Sequence, residues 1–111
     1  MSEFDLVYGS LTVGHIKNAF LSDLTWYGLF QSLLRPTDST LAGRILNFID
    51  FTKQWNERVR RGQVADPTEF DQFGDIVKSG SWHVVNSQGI KIPILDAPVF
   101  FEVGDISWQT C

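Results

Sequence analysis

Between Thr40 and Arg61 the apolar residues recur with the period of a helix, whereas the segments before and after alternate like strands, and this switch constrains the fold more than any other feature of the chain. At 100° per residue, Leu41, Ile45, Phe48, Thr52, Trp55 and Val59 fall within an arc of about 80°, flanked by Ala42, Ile49 and Phe51. Asn47, Asp50, Gln54, Glu57, Arg58 and Arg61 occupy the other side. A helix with such a stripe must lie on an apolar surface, and the rest of the chain supplies one only as a sheet. The expected fold is therefore α+β. One antiparallel twisted sheet, barrel-like if it curls strongly, is built from N- and C-terminal strands and packed by one long and one short central helix. Residues 1–111 form a single domain, because no Pro/Gly/Ser-rich or charged linker divides them and no segment repeats.

The N-terminal block reads as strands. Phe4 to Tyr8 alternates, Leu11 to Ile16 resumes after Gly9-Ser10, and either a hairpin or one strand bent at a glycine bulge fits the pattern. Ser22-Asp23 has turn chemistry. The following strand, Leu24 to Leu34, is apolar on both faces, with Trp26, Phe30 and Leu34 on one and Tyr27, Leu29 and Leu33 on the other. Such a strand needs cover on both sides, from a helix and a curled sheet or from a helix and a second subunit. After the break at Arg35-Pro36-Thr37-Asp38-Ser39 the long helix begins. Glu57 and Arg61 are spaced to pair, and Gly62 is placed to end the helix beyond the basic cluster Arg58, Arg60, Arg61.

Asp66-Pro67-Thr68-Glu69 carries the start signal of the shorter helix, with Phe70, Phe73, Ile76 and Val77 turned inward and Gly80 as its stop. Phe70 stands where a calcium loop needs an oxygen ligand, which excludes that reading of the acidic spacing. The last block predicts a strand from Ser81 to Asn86 and a second from Ile90 to Ile94, placed at an edge by Pro93. A closing hairpin follows, from Val99–Val103 through Gly104-Asp105 to Ile106–Thr110.

The 13 acidic and 9 basic residues give a net charge of −4, which argues against nucleic acid and anionic membrane surfaces as partners and favours a basic one. No apolar run is long enough to span a bilayer, and no positively charged, apolar leader stands at the N-terminus. Cys111 is the lone cysteine, so no internal disulfide forms, and a reducing, cytoplasmic setting is expected. No nucleophile elbow, phosphate loop, dinucleotide-binding glycine pattern or zinc spacing occurs, so no cofactor or metal is expected.

Six residues stand out. Trp26, Tyr27, Trp82 and Trp108 belong to an aromatic content of 14%, large enough to supply an interface as well as a core. Asn56 falls inside the apolar arc of the helix, where its amide must cap a sheet edge or meet a ligand in a cleft. His83 lies in a strand between Trp82 and Val84, in a structural role or as a general base. His15 shares these two readings, while Asp23, Asp96, Glu102 and Asp105 read as turn residues. These features point to a small non-enzymatic protein-interaction module, self-associating as a homodimer or engaging a basic protein partner, in the accessory, immunity or antitoxin-like class. The alternative is a small-ligand-binding protein or small enzyme with an acid/base cleft formed by His83 and a carboxylate. A third reading makes the chain one piece of a larger assembly.

Overall fold

The computed structural model describes residues 2–110, so the thiol of Cys111 lies outside the described residues. Strands β1 (Ser2–Tyr8) and β2 (Leu11–Ser22) form a hairpin over Gly9-Ser10, with Gly9 at φ +62, which decides between the two readings of that segment. Only glycine reaches this left-handed geometry without cost. β3 (Thr25–Ser32) follows, then helix α1 (Thr40–Arg60), a 3-10 segment (Pro67–Phe73) running into α2 (Gly74–Val77), and the short strands β4 (Trp82–Asn86), β5 (Lys91–Pro93), β6 (Val99–Phe100) and β7 (Asp105–Trp108). All pairings are antiparallel, in the order β5-β4-β1-β2-β3-β7-β6. The sheet curls without closing into a barrel. An isolated bridge between Ile94 and Thr110 joins the segments that follow β5 and β7.

The curl originates in β2, which carries an extra residue at two places. Leu6 and Val7 of β1 face Gly14 and Thr12, leaving Val13 unpaired and fully buried. Farther along, Lys17 and Phe20 face Leu29 and Tyr27 of β3, and the inserted residue, Asn18, adopts φ +55. Asparagine accepts this left-handed conformation more readily than most side chains. Bulges bend the strand and increase its twist, so the inner face becomes concave. Glycines let bulky neighbours lean across that face. A Cβ on Gly28 would stand 2.6 Å from Cγ2 of Ile16, and one on Gly14 would collide with the Phe30 ring and the Gln31 carbonyl.

Helix α1 occupies the concavity. Its N-cap is Ser39, whose hydroxyl accepts from the Ala42 N–H at 3.0 Å, and Gly62 follows its end at φ +72. Ala42, Ile45, Phe48, Ile49 and Thr52 are buried, and Ile45, Phe48 and Ile49 join Leu6, Ile16, Trp82, Phe100 and Ile106 in one core. The ends of the expected stripe depart from it: Leu41 and Val59 are exposed, and the buried part of the helix runs from Ala42 to Thr52. The short helix has both halves of its capping box, and Arg44 of α1 pairs with Asp75 of α2. Two strand ends are also corrected. β3 stops at Ser32, and β6 holds only Val99 and Phe100, of which Phe100 is turned to the core. Among the described residues, no helix is long and apolar enough to cross a membrane.

Candidate functional site: the outer face of the sheet and the cleft beside it

Of the four candidate aromatics on strands, Trp26, Trp82 and Trp108 face inward. Trp82 is fully enclosed and donates its indole N–H to the Ile76 carbonyl at 2.9 Å, tying β4 to α2. Trp108 is buried and stacks on Trp26 with ring centroids 5.9 Å apart, and Phe4 meets both rings edge-on. Tyr27, next to Trp26 on β3, points the other way, as alternation requires.

Asn56 takes its expected edge-capping role. Its Nδ2 donates to the Thr52 carbonyl at 2.9 Å and to the Phe100 carbonyl of edge strand β6 at 3.2 Å. His83 has Nδ1 3.3 Å from the Ser81 carbonyl, an enclosed Nε2 with no partner, and no ion pair with a carboxylate among the described residues. The carboxylate pairing expected at His83 occurs at His15 instead. There Nδ1 lies 2.9 Å from Oδ1 of Asp5, its direct cross-strand neighbour, and Nε2 lies 3.7 Å from Oε1 of Glu3. This group stands on an open face, the two carboxylates being more than half exposed. No cluster of three or more metal-ligating side chains occurs among the described residues.

The outer face divides into two regions. Over β1 and the adjoining part of β2 it is polar, with the Asp5–His15 pair beside Gln31. Farther along β2 and β3 it is apolar. Phe20 and Tyr27 face each other across the strands with rings stacked 5.6 Å apart, and Leu29 follows on β3. Their exposures, 51% for Phe20, 40% for Tyr27 and 48% for Leu29, are high for neighbouring large apolar side chains. The Asn18 bulge makes this grouping: the extra residue shifts the alternation of β2 by one, so Lys17 and Phe20 emerge on the same side. Lys17 and Asp105 stand opposite Leu29 on its two neighbouring strands, giving a row Lys17–Leu29–Asp105. Phe20 and Lys17 were not singled out from sequence; the two-sided apolar pattern of β3 is the signal that leads to them.

Beside this face, a cleft of about 620 Å³ separates the end of α1 from the loop between β6 and β7. Tyr27, Val59, Phe101 and Val103 supply its apolar walls, and Asn56, Glu57, Arg60, Glu102 and Asp105 its polar groups. Arg60 is held by Glu57 through two hydrogen bonds of 2.6 and 3.1 Å, and Arg61 adds a third to the same carboxylate. The bond from Arg60 is the main cause that lowers the Glu57 pKa, and Glu57 in turn raises that of Arg60. Glu102 and Asp105 make no ion pair among the described residues.

Comparison of the chain with protein-family models, curated proteins and solved structures yields no match.

Proposed function

We propose that this protein is an interaction module that self-associates as a homodimer through the apolar part of its outer sheet face. The observation that carries this reading is the contiguous exposure of Phe20, Tyr27 and Leu29. Isolated exposed aliphatics, such as Val64, are ordinary on any protein surface. A stacked aromatic pair continued by a leucine on the next row forms a patch that water solvates poorly, and such patches mark interfaces.

The charges flanking the patch favour a second copy as the occupant. A two-fold axis running along β3 in the interface plane places each Leu29 against its equivalent. It also sets Lys17 of one copy opposite Asp105 of the other, twice per dimer, as an isologous interface requires. The patch is small compared with the roughly 800 Å² per partner of a standard stable interface, so the dimer is of the weak, exchanging kind, with Kd in the micromolar range.

Charge exchange tests the geometry. Lys17→Glu and Asp105→Lys should each weaken dimerisation by about tenfold, and the double variant should recover most of the loss, as measured by sedimentation equilibrium. Additive losses in the double variant contradict the arrangement.

A further inference from the structure

We infer that the cleft beside β6 binds a segment of a partner protein that places a lysine or arginine next to an apolar side chain. The hydrogen-bonding inventory of the cleft points to this ligand. The Asn56 amide, which lines the cleft, is fixed by its two donor bonds, and its Oδ1 accepts no hydrogen bond from the described residues. Glu102 adds a carboxylate that makes no ion pair among the described residues. The cationic side chain at the rim, Arg60, is already spent on Glu57. The unoccupied polar groups are thus acceptors, and they suit a ligand that donates from a positive charge.

The walls specify the remainder of the ligand. Val59, Phe101 and Val103 offer apolar contact for a methylene stem or an aliphatic neighbour, and Phe101 offers a ring face to a cation. The volume lies within the range of ligand clefts, roughly 300 to 1,000 Å³. Binding by strand addition at β6 is blocked, because Asn56 already occupies the Phe100 carbonyl, so recognition proceeds through side chains. The net charge of −4 complements a basic partner. This inference stands apart from self-association: Asn56, Val59, Phe101, Glu102 and Val103 lie outside the dimer patch, and Tyr27 and Asp105, at the seam, are left to the second copy.

The probe is a short fluorescein-labelled peptide of alternating lysine and leucine, run beside a version with glutamate in place of lysine and beside free spermidine. Fluorescence anisotropy at physiological salt should show binding of the lysine peptide alone, and methyl NMR should show the resonances of Val59 and Val103 shifting together. Glu102→Lys should lower affinity by roughly tenfold, whereas Glu3→Lys, the same charge change away from the cleft, should alter it by less than about twofold. Glu102→Gln, which keeps the shape, should give a smaller loss than Glu102→Lys. Equal losses for Glu3→Lys and Glu102→Lys, binding of the glutamate peptide, shifts elsewhere than at the two valines, or no binding overturn the inference. Spermidine binding as tightly as the peptide overturns its assignment to a protein segment. A failure of the charge exchange between Lys17 and Asp105 leaves these readouts untouched, and the reverse also holds.

Discussion

Asn56 shows how one side chain settles a strand edge. A polar amide on the apolar side of a helix is costly unless its donors are used, and here both go to carbonyls, one of them on β6. Asn56→Ala removes the donor from the buried Phe100 carbonyl and should destabilise the protein by about 1–2 kcal/mol in urea denaturation. An unchanged midpoint would mean that the edge is satisfied in another way. Gly28 is a second residue-scale test. A methyl group there meets Ile16 at 2.6 Å and the Lys17 carbonyl at 3.2 Å, both on the neighbouring strand, so Gly28→Ala should cost about 1–3 kcal/mol. The same substitution at Gly74, where nothing lies within 4 Å of a built Cβ, should be close to neutral or stabilising in the same assay.

At the scale of elements, the short helix depends on charge. The Thr68 backbone N–H holds the Asp66 carboxyl below its usual range, and Glu69 is held down first by Arg58, 2.7 Å away, and then by the Asp66 N–H. Both acids bind protons more weakly in the folded than in the unfolded state. Their contribution to stability is therefore present above the usual carboxylate values and is lost as the pH falls through the folded ones. Acidification from neutrality to about pH 3 should accordingly lower the urea midpoint of the wild type more than that of the Asp66→Asn/Glu69→Gln variant. Equal losses would contradict the role of the box. Both helices, the capping box of the short one and the glycine that follows the long one were legible in the sequence, because period and capping are local signals. The shortness of β6, the end of β3 at Ser32 and the two bulges in β2 were not, since each depends on which strand lies alongside. Asn18 illustrates the limit. Nothing in its immediate sequence announces a left-handed bulge, yet that bulge decides which face Phe20 occupies.

For the whole molecule, the assignment of the aromatics follows the same division. Trp82 and Trp108 were candidates for an interface as well as for the core, and the structure puts both inside: Trp82 packs near Phe48 of α1, and Trp108 against Phe4 and Trp26 of the sheet. Trp26 and Tyr27 were read onto opposite faces of β3, and the alternation of that strand turns Trp26 toward the core and leaves Tyr27 outside. What the monomer leaves uncovered is the second apolar face of that strand, which the sequence already marked as needing a cover. The most direct test is mass by light scattering across a concentration series from about 1 to about 500 µM, spanning the expected micromolar Kd. The wild type should pass from one chain to two over that range, and Leu29→Glu, which keeps the fold but sets two like charges against each other at the two-fold axis, should remain a single chain throughout. A wild type that stays monomeric at the highest concentration, or a Leu29→Glu variant that dimerises as the wild type does, contradicts the account.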